Sequence, residues 1–152
     1  MTVDFAMKRS PKFRVASLPR NGPWKEDNLR SEFAELTRWA KAQGLRTGRW
    51  VFLEHSHTRW EACLEIGTRA AAPSGAIRIK TLPAATVAYV VFDPDEIEPR
   101  VIYHGLADYL RHRRKDGKVG PVLAVREVYA GDPWTNAKAS ARTEVQFVLR
   151  PR

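Results

Sequence analysis

The sequence predicts an α+β fold: an antiparallel-rich sheet made from two βαββ units, with helices on one face. Three observations predict it. Strand-like runs outnumber helix-like stretches, and the two helical stretches lie too far apart for a doubly wound α/β sheet. The same order of elements recurs in both halves. The halves also resemble each other in sequence, with Phe13-Arg14-Val15-Ala16-Ser17-Leu18-Pro19 nearly in register with Ile77-Arg78-Ile79-Lys80-Thr81-Leu82-Pro83. A second match sets Arg59–Ile66 against Arg142–Leu149. A duplicated unit leaves a seam between its halves, and small-molecule pockets favour such seams.

Each element has a local cause. Residues 1–12 form a polar N-terminal extension, and Phe13 to Leu18 a short strand. Asn21-Gly22-Pro23-Trp24 is turn chemistry. Helix 1 runs from about Lys25 to Gln43, because Leu29, Phe33, Leu36 and Ala40 recur at helical spacing; Gly44 stops it. Strands follow at Trp50–Glu54 and Arg59–Ile66. Residues 67–76, rich in alanine with Pro73 and Ser74, link half-repeats of 13–66 and 77–149. The single domain thus covers 13–150. Ile77–Leu82 is a strand, and the β-branched run Val87–Phe92 extends the sheet. Asp93-Pro94 reads as a helix start. Helix 2 is expected to run to about Lys115, with Ile97, Val101, Ile102, Leu106, Tyr109 and Leu110 on one side. Val122–Tyr129 and Arg142–Leu149 complete the sheet.

Composition narrows the class. A chain of 152 residues is one domain or two fused half-domains. Its one cysteine, Cys63, excludes an internal disulfide framework and fits a reducing compartment, so a cytoplasmic location is expected. No run is long enough to span a membrane, and the N-terminus lacks the apolar core of a secretory signal. The net charge of +9 favours acidic partners, yet it is spread over both halves. Its densest run, Arg111-His112-Arg113-Arg114-Lys115, suits a helix C-terminus. The distribution therefore argues against a nucleic-acid partner.

Strand parity selects candidate site residues. In the last strand Val145, Phe147 and Leu149 should pack under the helices, leaving Glu144 and Gln146 on the other face. In the matching strand, Trp60, Ala62, Leu64 and Ile66 pack, while Glu61, Cys63 and Glu65 point away. Glu127 and Tyr129 share a face, as do Trp50, Phe52 and Glu54. The expectation is a non-helix face that collects Glu144, Gln146, Glu127, Tyr129 and Glu61, bordered by Trp134, Trp50, Phe52 and Tyr89. Aromatic rings beside a carboxylate suit a planar cationic ligand, through stacking, cation–π attraction and counter-charge. His55 and His57 have no third ligand at useful spacing, so no metal is expected. Cys63 reads as an inert thiol, Trp24, Trp39 and Trp60 as core, and no cofactor motif is present.

Taken together, these residues resemble the GyrI-like small-molecule-binding domain. The carriers are the Leu-Pro strand ends, Gly22-Pro23-Trp24, the helix ending in Trp39-Ala40 with Gly44, Val125-Arg126-Glu127-Val128-Tyr129 before Asp132-Pro133, and the closing Thr143-Glu144-Val145. The resemblance covers about Phe13 to Leu149. It implies two βαββ units around a central groove that binds hydrophobic, often cationic compounds against a buried glutamate of the last strand. Glu144 matches that glutamate and Tyr129 a groove aromatic. Two departures stand out. Phe92-Asp93-Pro94-Asp95 replaces the glycine turn expected before helix 2, and the dozen or so residues before the first strand leave no room for a DNA-binding helix-turn-helix.

Three function classes follow. The first is a stand-alone binding module with Glu144 as counter-charge. The second is a hydrolase of electrophilic toxins, such as the cyclopropane-bearing ones some family members cleave, using Glu144, Glu127 and Tyr129. The third is an interaction protein with gyrase, a regulator or nucleic acid as partner.

Overall fold

The computed structural model describes residues 3–117 and 119–151, so the first two residues of the expected extension lie outside it. Eight strands and three helices follow in chain order: β1 Ala6–Ser10, β2 Phe13–Asn21, α1 Glu26–Ala42, β3 Thr47–Ser56, β4 Arg59–Ile66, β5 Arg78–Leu82, β6 Ala85–Phe92, α2 Pro99–Arg114, β7 Val122–Tyr129, α3 Ala137–Ala141 and β8 Thr143–Leu149. The strands form one sheet in the order β1-β6-β8-β7-β3-β4-β2-β5, and every pairing is antiparallel. The predicted α+β class and duplicated sheet are what the chain folds into. The halves meet where β3 pairs with β7.

The duplication is offset from the predicted one. The counterpart of β2 is β6, since each is the strand before its helix and sits between an edge strand and the last strand of its own half. The edge strands are exchanged: β1 precedes β2 but pairs with β6, and β5 precedes β6 but pairs with β2. The Leu-Pro resemblance therefore aligned β2 with β5, two neighbours in the sheet rather than two equivalents. Part of the expected N-terminal extension is the strand β1. The match of Arg59–Ile66 with Arg142–Leu149 does pair equivalent strands, and Glu61 and Glu144 face the same side.

Both faces of the sheet are buried. Against α1, Leu29, Phe33, Leu36 and Trp39 pack on Ala16, Leu18, Phe52, Trp60 and Leu64. Against α2, Ile102, Leu106 and Leu110 pack on Ala88, Val90, Val145, Phe147 and Leu149. The face without helices holds a third cluster, Phe13, Val15, Val51, Leu53, Cys63, Leu82 and Val128. The sheet buries this side by curling on itself: Arg126 of central β7 reaches Ser10 at the end of β1, at 3.3 Å.

The helices depart from prediction in three ways. Helix α2 begins at Pro99, which takes an N-terminal position that needs no N–H, with Glu98 as N-cap. Asp93 instead heads a turn, its carbonyl accepting from the amides of Glu96 and Ile97. Val101 is 55% exposed rather than in the apolar stripe. The short helix α3 was not predicted; Asn136 caps it by accepting from the amides of Lys138 and Ala139.

Candidate functional site

The register of the sheet divides the candidate residues between its two faces. One cross-sheet row on the helix face runs Ala62, Phe52, Glu127, Val145, Val90. The next row on that face pairs Trp50 with Tyr129. On the other face a row runs Glu61, Leu53, Arg126, Gln146, Tyr89. Glu127 and Tyr129 thus face the helices, and the expectation that they share a surface with Glu144, Gln146 and Glu61 is corrected. The cause is the one-residue alternation along β7: Glu127 stands opposite Val145, which packs under α2, whereas Glu144 stands opposite Val128.

The helix face carries a cavity of about 500 Å³ at the β3–β7 seam. Its walls include Trp24, Phe52, Phe92, Tyr103, Tyr129 and Trp134. At its floor the Glu127 carboxylate accepts a hydrogen bond on each oxygen: Tyr103 Oη donates to Oε1 at 2.6 Å and Tyr129 Oη to Oε2 at 2.6 Å. Burial, then the Glu127 charge, pushes both phenols well above their ordinary range, so they stay protonated as donors. Among the described residues no Lys, Arg or His lies within salt-bridge distance of Glu127. Glu26 and Glu54 also line the cavity, with no ionic partner among the described residues, and Glu26 accepts from Trp134 Nε1 at 3.2 Å. Among the described residues, three carboxylates and no basic side chain thus line this space in a protein of net charge +9.

Of the predicted residues, Glu127, Tyr129, Phe52 and Trp134 line this cavity. Trp50 sits behind the wall, stacked on Phe33 at 4.8 Å and 6.2 Å from Trp134. Trp24, expected in the core, is 44% exposed and packs edge-on against Phe52 at 5.3 Å. Tyr103, Glu26 and Glu54 were missed. Tyr103 follows Ile102 in an apolar helical stretch, and nothing local marks which way its hydroxyl points.

The other four predicted residues are tied into ion pairs or polar networks. Glu144 pairs with Lys8 at 2.7 Å and accepts from Gln146 Nε2. Gln146 Oε1 accepts from Arg126 Nε at 2.8 Å. The Tyr89 ring lies 4.1 Å under the Lys8 ammonium. Glu61 accepts from Ser17 Oγ at 2.6 Å, pairs with Lys80, and has His55 Nε2 at 2.6 Å. Burial raises the Glu61 pKa, but hydrogen bonds from Lys80, Ser17 and His55 outweigh it and hold it at about 2. Cys63 is fully buried, which pushes its thiol up to about 12. No group of three or more potential metal ligands gathers among the described residues, and no helix there is long and apolar enough to cross a membrane.

Solved structures share this curled antiparallel sheet with its helices, at low sequence identity. The EcmrR C-terminal domain has it, with a TM-score of 0.76 and 20% identity over 100% of both chains. In the EcmrR–DNA complex the match has a TM-score of 0.75 and 21% identity, covering 99% of this chain and 58% of that one. SAV2435 bound to tetraphenylphosphonium aligns at a TM-score of 0.52 and 6% identity, covering 97% and 94%. A hydrolase encoded by lin2189 from Listeria innocua aligns at 0.55 and 7%, covering 96% and 91%. No protein-family model and no curated protein matches the sequence.

Proposed function

We propose that this chain is a small-molecule-binding domain that holds a hydrophobic cation between α1 and α2, with Glu127 as its counter-charge. The observation that carries this is the Glu127 carboxylate: half-buried, held by two tyrosine hydroxyls, matched by no cation among the described residues, at the floor of an aromatic-walled cavity. A bound cation would relieve the cost of keeping that charge out of water, and the rings would stack on its apolar body. SAV2435, with the same fold, is bound to tetraphenylphosphonium, a lipophilic cation. Glu144, matched to the counter-charge by sequence, already has Lys8 beside it and faces away from the cavity.

The same triad favours a second reading, a hydrolase in which Glu127 acts as general base on water and a tyrosine orients the substrate. One experiment separates the two. Quenching of the Trp24 and Trp134 fluorescence by tetraphenylphosphonium and planar cationic dyes should saturate, and mass spectrometry should show cyclopropane-bearing electrophiles intact after incubation. Turnover of an electrophile without dye binding would support the hydrolase instead. Neither binding nor turnover would remove both.

A further inference from the structure

A second cavity, of about 350 Å³, opens on the opposite face of the sheet. Leu53, Leu82, Leu123, Ala124 and Val148 supply apolar walls, and Lys80, His55 and Arg126 supply its polar lining. Leu123 is 45% exposed, an apolar side chain left at the surface beside this space.

Arg126 is the unusual member. It is only 3% exposed, yet its hydrogen-bond partners are neutral: Gln146 Oε1 on Nε at 2.8 Å and Ser10 Oγ on one terminal nitrogen at 3.3 Å. Among the described residues no carboxylate lies within 4.0 Å of it. The acids on this face are paired elsewhere: Glu61 with Lys80 and His55, Glu144 with Lys8 at 2.7 Å, and Glu65 with Arg49 at 2.9 Å. Buried guanidinium groups ordinarily have a carboxylate or phosphate partner, because an uncompensated charge out of water is expensive. Burial, then the nearby Arg49 charge, act against the charged form of Arg126, and the Glu144 charge, beyond ion-pair distance, offsets them only in part. The Phe13 ring, 5.6 Å from the guanidinium, offsets a part of that cost.

We propose that this face holds a second binding site, in which Arg126 receives the carboxylate of a small aliphatic acid whose chain lies against Leu53, Leu82, Leu123 and Val148. The carboxylate supplies the missing counter-charge, and the chain covers apolar surface that the curled sheet leaves open. Arg126 favours an anion here, whereas the carboxylates of the cavity between the helices favour a cation. The two sites share a strand: Arg126 and Glu127 are consecutive in β7 and point to opposite faces. The proposal does not depend on what occupies the cavity at Glu127.

Calorimetric titration of the whole chain with octanoate tests it, with 1-octanol and octyltrimethylammonium as charge controls. Octanoate should bind one site, and octanol should bind at least about tenfold more weakly, the loss of one charge-assisted interaction. Arg126→Gln should lower octanoate affinity by a similar factor. Because Arg126 is buried, Leu123→Glu at the exposed wall gives an independent variant, expected to stay folded and to lose octanoate binding. Tetraphenylphosphonium should not compete. Absence of octanoate binding to the unaltered chain, equal affinity for octanol, or no effect of Leu123→Glu would each overturn the proposal.

Discussion

Replacing Glu127 with glutamine tests the counter-charge with little change of shape. In the unaltered chain both carboxylate oxygens accept from tyrosine hydroxyls at 2.6 Å. In Glu127→Gln the amide oxygen accepts from one hydroxyl, and the amide nitrogen donates to the other once that hydroxyl rotates. The triad therefore stays satisfied. Two charge-assisted hydrogen bonds become neutral ones, while the cost of an unmatched, half-buried carboxylate disappears. These effects oppose each other, so the folding stability should move by less than about 1 kcal/mol. The ligand effect is one-sided. A cation about 4 Å from the carboxylate gains roughly 4 kcal/mol at an effective dielectric constant near 20. Solvent reaching the half-open cavity reduces that to about 1.5–3 kcal/mol, a loss of roughly ten- to a hundredfold in affinity. Tryptophan-quenching titrations with N-methylacridinium, and with acridine at pH 8 as its neutral counterpart, measure it. The variant should lose cation affinity and keep neutral affinity. Equal losses for both would refute the electrostatic reasoning, as would a variant that binds the cation unchanged.

With Glu26 and Glu54 lining the same cavity as Glu127, an elongated dication should bind more tightly than the matching monocation, and Glu26→Gln with Glu54→Gln should erase most of that preference in the same titration. Trp134→Ala should weaken aromatic ligands by about 1–3 kcal/mol in fluorescence titrations, since a wall ring that stacks on the ligand is removed. Glu61 makes stability depend on acid: its folded pKa, about 2, lies below the unfolded value, so its contribution is complete above that unfolded value and is lost as the pH falls toward 2. The loss reaches up to about 3 kcal/mol, and urea melts between pH 5 and pH 2.5 should show it in the unaltered chain and not in Glu61→Gln. Leu106→Ala, at a fully buried position under α2, should cost about 2–5 kcal/mol in the same melts.

The local elements were legible because they depend on neighbours in sequence. The stripe Leu29, Phe33, Leu36 and Ala40 marks α1, and the positive φ of 68° at Gly44 is the stop its glycine offers. Parity inside β8 was legible too, since its alternate residues Val145, Phe147 and Leu149 are all apolar. In β7 parity gave no side. Ala124, Arg126 and Val128 form one set and Val125, Glu127 and Tyr129 the other, each two apolar or aromatic residues with one charge. A strand buried on both faces has no polar side to expose.

What the sequence determined by itself is the α+β class, the duplication, the apolar stripes, and the alternation of side chains within each strand. These follow from backbone periods and turn chemistry that act over a few residues. Tertiary structure alone decided which side of β7 meets the helices. It also decided that β1 and β5 exchange halves, and that Tyr103 of α2 reaches Glu127. Each rests on pairing or packing between residues far apart in the chain. A register shift of one residue would move Glu127 to the face where Arg126 now stands, and only the assembled sheet fixes that register.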